Sequence, residues 1–207
     1  FQVGLKRKAE QEERLVLDEK VRDRIQDRYN IAPGQEVFTV HQAGDHWGAA
    51  FRTWGVKQSH PRDLINSRDD TMQAKPGYFA SFQRILVPVS GFYEWPSLAG
   101  RKRAYAIRPV DHDALWWFAG LMKVQEGVER FSIMTTAPPE GFHEIHDRWP
   151  MTLHPEDRDR WLDPGLDRAE LFALMQPPPA EWVDAYEVGP AVGNWQSEGL
   201  SLVEPLK

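Results

Sequence analysis

The sequence predicts an α+β fold, a mostly antiparallel β sandwich or barrel-like core with peripheral helices, in a single domain over residues 1–207. Three observations predict it. Short apolar runs of strand length recur through the chain, Pro/Gly-rich turn signals separate them, and amphipathic patterns of helical period lie between and after them. No internal repeat and no linker divides the chain.

From Lys6 to Arg28 the residues are densely and alternately charged. Leu17, Val21 and Ile25 recur there at i, i+4 and i+8, which predicts a surface helix with a narrow apolar stripe. It ends at Asn30-Ile31-Ala32-Pro33-Gly34, where Pro-Gly marks a turn. Strands are predicted over Glu36–His41, Gly48–Gly55, Ile85–Val89 continuing through Gly91-Phe92-Tyr93-Glu94-Trp95, Arg103–Arg108, Leu115–Met122 and Phe131–Thr136. Helices are predicted over Met72–Phe82, Glu140–His146, Pro155–Leu162 behind His154, and Asp167–Met175. Pro177-Pro178-Pro179 is a stiff connector, and two short apolar runs within Trp182–Leu206 return as strands to the sheet.

Composition excludes several function classes. The longest apolar run, Leu115–Met122, has eight residues, against the ~20 a membrane helix needs, so no membrane partner is expected. The chain contains no cysteine; it therefore has no disulfide or thiolate metal site, which fits a reducing, cytoplasmic setting. Net charge is −6, but it is unevenly spread. Between Arg52 and Arg108 ten basic residues face four acidic ones, a local charge of +6 that leaves −12 for the remainder. With Trp54, Phe79, Phe82, Phe92, Tyr93 and Trp95 interleaved, this segment could serve single-stranded nucleic acid, or be a solvated face over a β-rich core.

Three short stretches carry candidate chemistry. In Asn66-Ser67-Arg68-Asp69-Asp70, an extended backbone points Asn66 and Arg68 the same way, as an amide and a guanidinium able to hold a sugar and its phosphate. An Asx turn with Arg68 paired to Asp70 fits the same spacing. In Gly91-Phe92-Tyr93-Glu94-Trp95, a lone carboxylate stands among aromatics. Burial there would raise its pKa and suit acid/base work; the alternative is a solvent-facing strand end over an aromatic core. In His146-Asp147-Arg148, the imidazole could act as a general acid oriented by a neighbour. His143 and His146 lack the HExxH pattern and any further ligand cluster, so the metal reading is rejected. The histidines at 41, 46, 60, 112 and 154 read as surface residues. No phosphate loop or G-x-S-x-G elbow is present, which speaks against nucleotide and serine hydrolases.

Taken in order, these stretches resemble one family. The match runs from Tyr29-Asn30-Ile31-Ala32-Pro33-Gly34 through Trp54-Gly55, Ile65-Asn66-Ser67-Arg68 with Asp70-Thr71, Lys75-Pro76, and Arg84 to Trp95. It continues at Ile145-His146-Asp147-Arg148 with Pro150, Val192-Gly193-Asn194 and Leu202-Val203-Glu204-Pro205. The sequence is similar to the SOS-response-associated peptidase (SRAP) family of abasic-site-processing proteins. The resemblance implies a monomeric DNA-repair protein without a cofactor. It would bind single-stranded DNA at an abasic site and bond to the sugar aldehyde through an N-terminal cysteine, as a Schiff base and then a thiazolidine. It also implies removal of the initiator methionine by the protein itself.

By the same resemblance, Asn66 positions the sugar or the N-terminal residue, Glu94 shuttles protons at the amine, and His146 assists ring opening as an acid. Arg68, Lys75, Arg84 and Arg148 contact phosphates, Trp54 and Trp95 stack or wedge, and Asn30 and Pro33 belong to the DNA-binding surface. The family's start, Met-Cys-Gly-Arg before an aromatic, is absent from this sequence; Phe1 stands as that aromatic, and the cysteine is expected upstream of it. Ser67 and Asp70 stand where the family often has Ala and Glu. Two rival readings are a noncovalent reader of damaged or modified DNA and a protease acting on other proteins; the basic centre makes the second less attractive.

Overall fold

A computed structural model describes residues 1–59, 61–98 and 100–206. In chain order its strands are β1 (Glu36–Ala43), β2 (His46–Trp54), β3 (Asn66–Arg68), β4 (Gln83–Val89), β5 (Phe92–Glu94), β6 (Ser97–Leu98), β7 (Arg101–Lys102), β8 (Ala104–Pro109), β9 (Trp116–Gln125), β10 (Val128–Thr136), β11 (Trp149–Pro150) and β12 (Val183–Val188). The α-helices are short: α1 (Leu5–Glu10), α2 (Glu19–Arg22), α3 (Asp69–Ala74), α4 (Pro76–Phe79), α5 (Arg158–Leu162) and α6 (Arg168–Ala173).

The β1–β2 hairpin turns at Gly44, whose φ of 67° suits a residue without Cβ. From β1 the pairing passes to β4, then β9, then β10, all antiparallel, and β10 returns in parallel to β2. These five strands therefore close a barrel, which removes free sheet edges. β3 and β11 lengthen it by pairing with β10.

Strand alternation assigns the two faces. Val37, Ile85, Val87, Phe118, Met122, Phe131 and Ile133 form one buried cluster inside the barrel. Gly120 lies on that face because a Cβ there would meet Ile85 Cγ1 at 2.9 Å. The opposite face presents Phe38, Val40, Leu86, Ala119, Leu121 and Met134, which pack under Leu5, Met72, Phe79, Trp161 and Leu171 from the helical segments. Each buried Leu, Val, Phe or Met among them contributes about 1.5–3 kcal/mol. The Trp161 indole N–H donates to the Ile85 carbonyl at 2.9 Å, which fixes α5 over β4.

A second, three-stranded antiparallel sheet runs β12-β8-β5. Its core is Phe1, Ala104, Ala106, Val188, Val192, Leu202 and Val203. The chain passes from barrel to small sheet through only Ser90 and Gly91, between β4 and β5. Glu94 consequently stands where the two sheets meet.

The predicted strand positions agree with β1, β2, β4, β5, β8, β9 and β10, but four expectations need correction. The helix expected over Lys6–Arg28 is two short helices, α1 and α2. Between them Trp47 N donates to Arg14 O and Val16 N to Trp47 O, both at 2.8 Å, so pairing with β2 overrides the helical pattern. The helix over Met72–Phe82 begins earlier, at Asp69, and breaks at Lys75, because Pro76 has no N–H and keeps Lys75 out of the helical region. Residues Glu140–His146 form turns rather than a helix: Gly141 takes a φ of 84°, and Phe142 and Ile145 pack against the barrel cluster. Of the two C-terminal runs only β12 is a strand, and it joins the small sheet; Leu200–Val203 is a 3-10 turn.

Among the described residues no helix is long and apolar enough to cross a membrane. His60 lies outside the described residues. His112 is exposed and pairs with Asp184 at 2.8 Å, whereas His41 is half-buried beside Arg52, and burial pushes its pKa down.

Candidate functional site

The N-terminal residues are stitched to the strap between the two sheets. Phe1 N donates to Gly91 O at 2.7 Å, and Ser90 N donates to Phe1 O at 3.0 Å. The Ser90 hydroxyl accepts from Val3 N at 2.7 Å and donates to Val3 O at 2.8 Å. Gln2, only 2% exposed, uses its amide N–H groups on Pro88 O at 2.7 Å and Phe38 O at 3.1 Å. Phe1, Gln2 and Ser90 are buried, Val3 partly so, and each of these polar groups has found a partner, which is why this seam can be buried. The Phe1 ring lies 5.1 Å from that of Tyr93, whose hydroxyl donates to Tyr29 O at 2.8 Å.

Phe1 forms one wall of a cavity of about 300 Å³ at the junction of barrel and small sheet. Its floor is apolar, from Val37, Val87, Phe118, Phe131 and Ile133 of the barrel interior. Asn30, Pro33, Trp54, Asn66, Glu94 and Trp95 line it as well. Six residues singled out from the sequence, spread over 66 positions, thus border one opening.

Asn66 reaches it from β3. This strand pairs in parallel with β10, and the buried hydroxyls of Ser67 and Ser132 lie 2.7 Å apart beneath it. With Ser67 inward, Asn66 and Arg68 both face outward, as the extended reading of the stretch requires. Among the described residues the Asn66 amide has no hydrogen-bond partner in the protein, leaving its donors and acceptor for a ligand. Trp54 is fixed beside it: its indole N–H donates to Ile65 O at 2.8 Å. Arg68 is held by Asp70, with contacts of 2.6 to 3.2 Å, the pairing the turn reading foresaw. The Arg68 side chain is 50% exposed, and water screens an exposed pair of this kind, so its release to a phosphate costs little.

Glu94 ends β5, half-buried between Tyr93 and Trp95. Burial pushes its carboxyl pKa above the usual range; the charge of His146 and the Trp95 backbone N–H act in the opposite direction, and Asp147 adds to the rise. A carboxyl so placed keeps its proton to higher pH than a free one, which suits acid/base work. His146 itself is exposed outside the cavity lining. Its Nδ1 lies 2.9 Å from Arg148 N and 2.8 Å from Arg148 O, so the following residues set the ring's orientation, and among the described residues Nε2 has no partner. Arg148 is mostly buried and donates to the Asp69 carboxylate and to Thr135 O, tying the loop of His146 to α3 and β10.

Lys75 and Arg84 do not line this opening. Lys75 is exposed at the junction of α3 and α4. Arg84 donates to the carbonyls of Trp161 (2.6 Å) and Asp163 on the helix-covered side of the barrel, a structural tie for α5. Asn30 is 6% exposed, and its amide donates to Val192 O at 3.1 Å and Asn194 O at 2.9 Å. Sequence reasoning missed Gln2, Ser90 and Trp195. Only Ser90 carried a signal, as a hydroxyl between an apolar strand and Gly91; Trp195 reaches the cavity through the tertiary fold alone.

Three comparisons place this geometry among known proteins. The family model described as SOS response associated peptidase (SRAP) matches residues 2–195. "Abasic site processing protein YoqW" of Bacillus subtilis is 30% identical over 190 residues, covering 85% of each chain. "Abasic site processing protein YedK" of Escherichia coli is 28% identical over 193 residues, covering 86% of this chain and 85% of that one. A crystal structure of a Bacteroides thetaiotaomicron protein superposes with a TM-score of 0.71 at 23% identity, over 84% of this chain and 82% of that one. That of a phage-related protein from Bordetella bronchiseptica gives 0.64 at 29% identity, over 77% and 80%.

Proposed function

The chain belongs to the SOS response associated peptidase (SRAP) family, and we propose that it processes abasic sites in single-stranded DNA by bonding to the lesion covalently. The observation that carries this reading is the convergence of Phe1, Asn66 and Glu94 on one cavity. Three residues ahead of Phe1 reach at most about 10 Å. A Cys-Gly-Arg segment there would bring the cysteine amine and thiol into the space between Asn66 and Glu94.

The α-amine of that cysteine adds to the aldehyde carbon of the opened sugar, and water leaves to give a Schiff base. The thiol then adds to the same carbon, its proton passing to nitrogen, and a thiazolidine closes. Glu94 supplies the acid for the departing water and takes the proton back, a duty its raised pKa suits. Asn66 holds the sugar hydroxyl or the amine through its free amide. His146, outside the lining but within electrostatic reach of Glu94, protonates the sugar ring oxygen as the ring opens. Arg68 gives the adjoining phosphate a counter-charge, and Trp54 and Trp95 provide stacking surface. The same cysteine amine becomes available only when an initiator methionine is cleaved, a peptidase step the site would perform on its own chain.

Incubating the full-length gene product with an oligonucleotide bearing one abasic site, then running a denaturing gel, tests the reading. A heat-stable shifted band is expected. Binding on a native gel without a denaturation-resistant band would instead indicate a noncovalent reader of the lesion, and no binding would reject both.

A further inference from the structure

The sequence has nine tryptophans, and two of them, Trp95 and Trp195, are exposed, at 38% and 59%. Both border the same opening. Exposing a large indole costs hydrophobic burial, so two on one rim point to a surface kept free for a flat apolar partner.

The backbone beneath Trp195 is firmly held while its ring is not. Asn30 donates to the carbonyls of Val192 and Asn194 on either side of Gly193. The Asn194 side chain accepts from Gln196 N at 3.1 Å, and Asn194 O accepts from Ser197 N at 2.9 Å. Glu198 then accepts from Tyr29 N at 2.7 Å and from Arg28 Nε at 3.2 Å. The loop is thus pinned to residues 28–30 before and after the tryptophan. Among the described residues the Trp195 ring makes no aromatic or cation–π contact. A rigid mount with a bare indole is preorganised for stacking and loses little freedom on binding.

We propose that Trp195 is a binding residue of this site that stacks on a nucleobase flanking the sugar held in the cavity; this rests on the reading of the cavity as a single-strand site. An abasic position offers no ring of its own, so a neighbouring base is what an indole on this rim can grip. Trp195 thereby makes the protein sense the base next to the lesion. Stacking of this kind tolerates any base, because each has a π face, and favours purines over pyrimidines through area.

The test is fluorescence anisotropy of full-length wild type, Trp195→Ala and Trp195→Phe with two labelled single strands. One carries a single tetrahydrofuran abasic analogue between ordinary adenosines; in the other the adjoining bases are also replaced by tetrahydrofuran. On the first strand Trp195→Ala should bind about 5- to 100-fold more weakly than wild type, with Trp195→Phe close to wild type. On the second, wild type and Trp195→Ala should bind alike. Equal binding of both proteins to the first strand, or an equal loss on both strands, would overturn the proposal while wild-type binding upheld the site. Failure of wild type to bind either strand would reject the single-strand reading itself, and the stacking role with it.

Discussion

The Phe1 ring fills the space where Gly91 lacks a side chain: a Cβ on Gly91 would lie 2.5 Å from Phe1 Cζ and 2.4 Å from Ile107 O. One glycine therefore lets β5 leave the barrel, β8 pair beside it and the N-terminal segment lie across both. Gly91→Ala should force Phe1 out of its seat, since Ile107 O is backbone and cannot give way. A loss of about 1–3 kcal/mol in urea unfolding is expected, typical of an overfilled core, together with slowed crosslinking. Unchanged stability and rate would mean that the seam is not needed to place the N-terminal segment.

Glu94 gives a pH-dependent prediction. Its folded pKa is raised above the ordinary 4.5, so the native state holds the proton longer than the unfolded chain. Below about pH 4 both states are protonated and the group is neutral in its effect; as pH rises through the folded pKa, ionisation in the site costs stability. Glu94→Gln should therefore raise Tm at neutral pH and lose that advantage on acidification, while crosslinking slows. A Tm difference independent of pH would show that the carboxyl is not shifted by burial.

On the proposed function, Arg68 exchanges its exposed pair with Asp70 for a DNA phosphate. Arg68→Ala should weaken single-strand binding and reduce the slope of log K against log salt by about 0.7, one phosphate contact's worth on a single strand. Identical slopes in titrations of the two proteins would remove Arg68 from the phosphate-binding set.

The Ser67–Ser132 pair underlies the placement of Asn66. Ser67→Ala leaves a buried Ser132 hydroxyl without its 2.7 Å partner and should cost about 1–3 kcal/mol. The double variant Ser67→Ala/Ser132→Ala should cost less than the two single changes added together. Strict additivity would show that the hydroxyls do not depend on each other.

The legible parts of the fold are those where local pattern and tertiary environment agree. Ile85–Val89 and Phe131–Thr136 read as strands because both faces of each are buried, one in the barrel and one under the helices. Leu17, Val21 and Ile25 misled because Leu15 and its neighbours pair with Trp47, a partner remote in sequence that no periodicity can announce. The site divides in the same way. Glu94 is recognisable as a lone carboxylate among aromatics, and Asn66 by its place on a strand. Arg84 offers the same chemical signature as Arg68, yet it caps α5 on the other side of the barrel. Trp195 gives no local hint, because its role depends on a loop pinned by Asn30, more than 160 residues away.

The central claim is that the N-terminal residue, in the cavity of Asn66 and Glu94, is the group that bonds to the sugar. Digesting the purified covalent complex of full-length protein and abasic single strand, and sequencing the nucleotide-bearing peptide by mass spectrometry, tests it most directly. The account predicts the sugar remnant on the N-terminal cysteine of the peptide that runs into Phe1, bonded at both nitrogen and sulfur. A remnant on an internal lysine such as Lys57 or Lys75, with the N-terminal peptide recovered unmodified, would contradict it.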